Sequence, residues 1–598
     1  MRIAGAAMLA LAIVSSTVAS DKQRLLIQRI GPSVSSVYLA NADGTGERRL
    51  PGPSALDYNP ALSPDGQWIA FTSERGGSAD LYRVRVDGSS LERLTSDPAY
   101  DDQASWSPDG SSLAFVSTRT SGTADIWTLD LATKAARNLT ATAGGDFRPS
   151  WSPDGKWIAF SSDRGTRIES NPPEWEHLHR TSIYLIARNG QGLRRLTDGT
   201  RSAGSPRWSS DGKRIVFYEL EVADTHDARE DDQQSRVVSQ IVSVDTETGV
   251  RREHTFGAGL KVSPQFLDGD RVGYLVKAGA NPGIVYTSGG RGTSGDIRNP
   301  SFSRDGRTVV YDRGRVSTER VSYDLLQPLY SKNTAFELVH LGRLGAYSPD
   351  GRRLAFSEPA GNAEWAIVVM DSDGTQRKTV FFEQGTAALS PRWSYDGRRL
   401  VFGLGGGFDT RNAPSRVIVT HADGSNVRVL ATGAGAGFPS FSPDGKRLVF
   451  RVWGKDANER GLRILALDTA AITHLTRDEF DTFPGWSPKG DLIAFTSWRN
   501  GDFDIYTIRP DGSGLKRLTT APGNDAHSSW SPDGRYLIFS SSRLGFKDEA
   551  PLFDDQPQPY GEVFVMRSDG SDQYPLTDNQ WEDGAGSWRP PVGNTRLH

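Results

Sequence analysis

The chain contains no cysteine. Disulfides, thiolate catalysis, Cys-ligated zinc and iron–sulfur clusters are thereby excluded. Histidine is scarce, with nine residues in 598. Charge of one sign is lacking too: 69 Lys and Arg stand against 73 Asp and Glu, a formal net charge of −4. A nucleic-acid binder needs a basic excess, so none is expected as a partner. Beyond the N-terminus no apolar run is long enough for a membrane helix, and no membrane span is expected. No G-x-S-x-G elbow, HExxH pair, P-loop or dinucleotide fingerprint occurs, and no α/β pattern of a hydrolase follows the repeats described below.

What is present begins with a targeting pattern. Arg2, the apolar run "IAGAAMLALAIV" and the small residues "SSTVAS" follow one another in the order of a signal peptide. Cleavage after Ala19 is expected, giving residues 1–19 as signal peptide and a periplasmic or secreted mature chain. The absence of cysteine favours a bacterial periplasm over a eukaryotic secretory route.

The rest of the chain repeats itself. "SWSPDG" at 105–110 returns at 150–155 and 529–534, and close variants end at Gly66, Gly212, Gly269, Gly306, Gly351, Gly397, Gly445 and Gly490. The period is about 45 residues, the length of a four-stranded propeller blade. In residues 60–95, "PALS" reads as an inner strand and "SPDG" as a type I turn. "WIAFTS" and "DLYRVRV" read as the next two strands, "DG" as a tight turn and "LERLT" as the outer strand. Gly and Pro are plentiful, at 64 and 33, as turn-dense β proteins require. The recurring Arg75, Arg119, Arg164, Arg499 and Arg543 and the recurring Asp80, Asp125 and Asp504 are expected to pair within their blades as scaffold.

The unit P-x-W-S-P-D-G, I-A-F-x-S-x-R, D-I-Y, D-G, R-L-T resembles the TolB-like (WD40-like, PD40) propeller repeat, and the copy at 481–519 matches it nearly throughout. The repeat is also similar to those in propellers of the dipeptidyl-peptidase-IV and oligogalacturonate-lyase types. The resemblance implies an all-β propeller fold and leaves function open, because such propellers serve as binding proteins, peptidase gates and carbohydrate-active enzymes. The chain departs from the TolB translocation protein in that no small α/β domain precedes residue 24.

Residues 24–50 read as the second to fourth strands of a blade that lacks its inner strand. "NPSFS" (299–303) is expected to close the first ring onto them, and "GSWRP" (586–590) to close a second ring onto residues 315–342. The expectation is two tandem six-bladed propellers, 20–313 and 314–598, each closed by a shared blade. No crosslink is expected between residues 24–50 and 585–589.

The long insertions, 161–182, 218–237 and 541–561, all fall on the face opposite the tight turns, where binding loops sit. Two candidate sites follow. On the first ring, His177, His179 and Glu176 form a His-x-His group with a carboxylate, near Trp175 and His226. Its candidate cofactor is a divalent metal. On the second ring, His527, Asp525 and Asp583 are the candidate catalytic residues, with Asn524, Tyr560, Trp581, Glu582 and the first ring's Trp175 for binding. Aromatic, carboxylate and imidazole groups at a propeller mouth suit a stacking platform with a tunable base. The plain alternatives are a packed loop with solvated histidines and acids that cap local backbone. The mouths read as more acidic than basic. The leading function is a binding module for protein, peptide or oligosaccharide at the loop face. The alternative is a carbohydrate-active enzyme of lyase or glycoside-hydrolase type.

Overall fold

The computed structural model describes residues 22–50, 56–120, 122–166, 169–170, 177–230, 233–279, 281–316, 327–341, 345–361, 364–405, 414–454, 459–478, 480–553 and 561–591. The signal-peptide segment 1–19, Trp175, Glu176 and Tyr560 lie outside them. The described strands assemble into twelve four-stranded sheets and one two-stranded ribbon. Inner strands beginning at Asp57, Asp101, Asp146, Ser202, Lys261 and Arg298 touch in that order, and the last touches the first. Inner strands beginning at Gly345, Ala388, Gly437, Thr482, Asp525 and Glu582 close a second circle in the same way.

The repeated phrase holds each blade in two places. At its turn, Ser63 Oγ donates to Asp65 Oδ1 (2.6 Å), the Gln67 N–H donates to the same oxygen (3.0 Å), and Gly66 takes φ +68°. That is an Asx-type turn, and a side chain at Gly66 would be strained there. The tryptophan of the phrase faces the preceding blade. Trp106, Trp208, Trp393, Trp530 and Trp588 donate Nε1–H to the carbonyls of Ala61, Ser150, Ala346, Gly485 and Ser529 at 3.0–3.2 Å.

The recurring charges do pair within blades, but not with one another. Arg75, Arg164, Arg499 and Arg543 donate at 2.6–2.8 Å to Asp57, Asp146, Asp481 and Asp525, and Arg119 donates to Asp101. Each guanidinium also lies over two aromatic rings of its blade, such as Phe160 and Tyr184 for Arg164. Asp80 and Asp504 pair instead with Arg93 and Arg517, and Asp125 with Asn138.

Closure departs from expectation at one strand. Residues 298–302 do share a sheet with residues 32–41 and 48–49, completing a blade of the first ring. The preceding strand, Gln23–Ile30, lies in the second ring instead. It runs antiparallel to Glu582–Trp588, with Leu25 opposite Trp588, and parallel to Phe336–His340. The expectation that residues 24–50 stay with the first ring, and that only residues 315–342 close on the C-terminal strand, is therefore corrected. The physical reason is the Gly31–Pro32 break. Proline cannot donate to a ladder, and a Cβ at Gly31 would meet the Trp581 ring at 3.0 Å. The chain changes ring at that step.

Candidate functional site: two collars and a plug

Among the described residues ten of the twelve inner strands carry a bulge at one register position, three residues before the tryptophan or its equivalent. In the first ring the residues there are Asn59, Gln103, Arg148, Ser205, Ser263 and Asn299, all at φ 50–57°. In the second ring they include Ser390, Phe438, Phe483 and His527, at φ 50–56°. Positive φ on a non-glycine residue costs roughly 1–2 kcal/mol. Bulges re-aim side chains at barrel rims. The six first-ring residues line one cavity on the ring axis together with Arg207. The repeated strain thus builds a collar of side chains around each axis.

The first collar is polar and already filled. Phe546–Phe553, from the 541–561 insertion of the second ring, docks into it. The Lys547 carbonyl accepts from Gln103 Nε2 (2.9 Å). Asp548 accepts both arms of Arg148, with Nε to Oδ1 at 2.7 Å. Glu549 accepts from the Ser205 N–H (2.5 Å), Ser205 Oγ (2.7 Å) and Ser161 Oγ (2.6 Å). A Cβ on Gly204 would strike the Glu549 carboxyl at 2.5 Å. Lys277 Nζ donates to the carbonyls of Pro551 (3.0 Å) and Phe553 (2.7 Å). Lys547, Asp548 and Glu549 are at most 1 % exposed. Burial pushes the Asp548 carboxyl up to about 7 against the pull of Arg148. Lys547 pairs with Asp578 (2.6 Å) and Glu562 in the second ring, so the plug is anchored at its root.

The metal candidates serve this dock. His179 stacks on Phe546 at 3.7 Å, accepts the Ala550 N–H at Nδ1 (3.2 Å) and places Nε2 3.3 Å from Asp163 Oδ2. An Nδ1 that accepts leaves Nε2 as the protonated donor, so neither nitrogen offers a lone pair to a metal. His177 is buried, and its carbonyl accepts from Arg229. His226 sits against its neighbour Asp227. Among the described residues no group of three or more His, Asp or Glu side chains could hold a metal ion. His179 is thus engaged by the dock, and Glu176, expected beside it as a ligand, lies outside the described residues.

The second-ring candidates are likewise dispersed. Asp525 is the blade acid of Arg543, and Asp583 accepts both arms of Arg29 at 2.7 and 2.8 Å. Asn524 is buried, its N–H donating to Ser542 Oγ (2.8 Å). Trp581 belongs to the contact between rings: its Nε1–H donates to Glu74 (2.7 Å) and its ring meets Tyr58 edge-on at 5.5 Å. Glu582 opens the C-terminal strand opposite Ile30. Among the described candidates only His527 stands at the collar position. It lies 4.1 Å from the Phe483 ring, which lies 4.4 Å from Phe438. Burial, then the charge of Arg392, pull its imidazole down to about 4. The grouping of His527 with Asp525 and Asp583 as catalytic residues is thus not supported by their separate engagements. Asp525 and Asp583, two of the acids expected at this mouth, are each paired with an arginine of their own blade.

Between the rings lies a cavity of about 990 Å³. One wall is Gly144, Asp163, Thr166 and His179 of the first ring, and the other is Trp498, Asp502, Thr520, Arg543 and Leu544 of the second. Asp502 is pushed up to about 7, by burial first and then by Asp504 and Asp525, despite accepting the Gly523 N–H at 2.8 Å.

Twelve four-stranded sheets whose inner strands close two circles define a β-propeller protein. The TolB beta propeller domain (PD40) matches residues 14–120, 103–170 and 357–548, more than half of the chain, and the chain belongs to that family. It is 33% identical over 151 residues to the Protein TolB homolog of Chlorobium luteolum, covering 25% of this chain and 34% of that one. It is 31% identical over 245 residues to the Tol-Pal system protein TolB of Francisella tularensis subsp. mediasiatica, covering 39% and 52%. The chain thus spans about a third to a half of the length of these relatives. The crystal structure of TolB from Acinetobacter baumannii matches with a TM-score of 0.34 at 13% identity, over 69% of this chain and 79% of that one.

Proposed function

We propose that the chain is an exported, periplasmic binding protein that holds a protein or peptide between the inward-turned loop faces of its two rings. The observation that carries this reading is the cavity of about 990 Å³ walled by loops of both rings. Loops on rigid scaffolds are where recognition concentrates. One mouth already holds a looped segment of the chain in cis, so these collars suit polypeptide. The match to a relative named as a Tol-Pal system protein points the same way. In this reading residues 1–19 are removed on export. The two rings are separate units near the 20–313 and 314–598 divisions, with Gln23–Ile30 counted with the second.

The test is site-specific photo-crosslinking in the native host. A photoreactive residue replacing Thr520 in the cavity should give discrete protein adducts, whereas one replacing Asp109 on the tight-turn face should not. Adducts from the tight-turn face alone would overturn the reading. An oligosaccharide array run beside it should show no specific capture.

A further inference from the structure

The two collars occupy the same register positions but differ in chemistry. The first presents amide, hydroxyl and guanidinium groups and is filled by Asp548 and Glu549. The second presents Phe438, Phe483 and His527, which remain partly exposed although they stand on inner strands. Arg451 stacks over Phe438 at 4.5 Å and over Trp453 at 3.6 Å, adding a cation to the aromatic rim.

Two residues further along the inner strand, on the same side, a second layer carries one arginine per ring: Arg207 in the first and Arg392 in the second. Among the described residues Arg392 makes no hydrogen bond or ion pair, and the charged group it bears on is His527, which it disfavours as a cation. Arg392 is half-buried and has no internal counter-ion among those residues, so its charge is open to an anion arriving from outside. The first ring shows what such a group accepts: Arg148 takes a carboxylate two-pronged from a segment that is not part of its own ring.

We infer that the second ring's mouth binds the C-terminal residue of a peptide, an aromatic or large aliphatic side chain resting on Phe438, Phe483 and His527 and the α-carboxylate reaching Arg392. The choice of a chain end follows from depth. Two residues of strand are about 6.6 Å. The plug, an internal segment, engages the first collar through Gln103, Arg148 and Ser205, and its carboxylates take their hydrogen bonds at that layer and from Ser161. A terminal residue can pass a narrow collar end-on where a folded-back loop cannot. The inference rests on the peptide-binding reading above and adds the class of ligand.

The test uses the full mature chain and a pool of hexapeptides with free carboxyl termini, against the same pool as C-terminal amides, in affinity selection read by mass spectrometry. The free acids ending in Phe, Trp, Leu or Met should be enriched at least tenfold over their amides. Arg392→Met should abolish the preference for acid over amide, and Phe483→Ala should abolish the preference for large apolar ends. Arg207→Met, in the plugged ring, should change neither. His527 should show imidazole shift changes on titration with an enriched acid but not with its amide, a readout that does not require the variants to fold. Equal retention of acids and amides, enrichment indifferent to Arg392, or no enrichment at all would each overturn the inference. Adducts from Thr520 in the crosslinking experiment would leave the broader binding reading standing in any of those cases.

Discussion

Removing the Asp548 carboxylate is expected to unlock the rings from each other. The side chain is 1 % exposed and Arg148 8 %. Asp548 accepts two guanidinium bonds from Arg148 and the Glu549 N–H at 2.8 Å. Asp548→Ala leaves Arg148 as a buried charge with its main counter-ion gone. Breaking a buried pair from one side costs about 3–5 kcal/mol, most of it the stranded charge. The pair itself contributes far less. Burial pushes the Asp548 carboxyl up to about 7, so desolvation outweighs the attraction of Arg148. Arg148→Met together with Asp548→Ala should therefore cost less than Asp548→Ala alone. The double-mutant cycle should show a coupling of about 2 kcal/mol or more, within the range for residues in one network.

The assay is hydrogen exchange resolved by peptide mass spectrometry, because a two-ring chain need not unfold in one step. In Asp548→Ala the amides of 546–553 and of the inner strand Asp101–Trp106 should exchange about a hundredfold faster, as a loss near 3 kcal/mol requires. The outer strands of the second ring should be unchanged. Unaltered exchange across 546–553, or a double variant as damaged as the sum of its parts, would refute the account of the plug as a charge-matched dock.

Three further outcomes follow. Because the chain has no cysteine of its own, Leu26→Cys with Ser587→Cys should crosslink cleanly, since the two residues are register partners; failure would return residues 23–30 to the first ring. Trp588→Ala should lower stability by about 3–5 kcal/mol, because a ring 6 % exposed and its bond to the Ser529 carbonyl are lost together; an unchanged melting temperature would deny the C-terminal strand a closing role. His527 is held down to about 4 by burial and then by Arg392. A depressed histidine contributes stability that is full above its unfolded pKa near 6.5 and is lost as pH falls through 4. The stability difference between the native chain and His527→Gln should therefore shrink or reverse between pH 6.5 and 4, and a difference constant over that window would contradict the burial of a neutral imidazole.

The fold was legible because a 45-residue period with strand alternation and fixed turn residues has few alternatives. The strand exchange was not. "RLLIQRI" and "SVSSVYLA" alternate equally well, and alternation says that a segment is a strand without saying which sheet it joins. Gly31–Pro32 was the one visible mark of the switch. The plug was hidden for a related reason: "FKDEAPLF" reads as a charged surface loop until Arg148 and Ser205 are placed opposite it.

The misplaced site residues carry a sharper lesson. Asp525 and Asp583 stand at the position that Asp57, Asp101, Asp146 and Asp481 hold in other blades, and each of the six accepts from an arginine. A group that recurs in six of the twelve blades with the same kind of partner serves what those blades share, which is to hold their own strands together. Function in a repeat protein has to lie where the frame is constant and the residue is not. The position three residues before the tryptophan reads Asn, Gln, Arg, Ser, Ser and Asn around one ring and includes Ser, Phe, Phe and His around the other. All ten share the same costly backbone conformation. The strain is common to both rings, so it belongs to the scaffold; the side chains it aims at the axis are particular to each, and there the two rings part in chemistry.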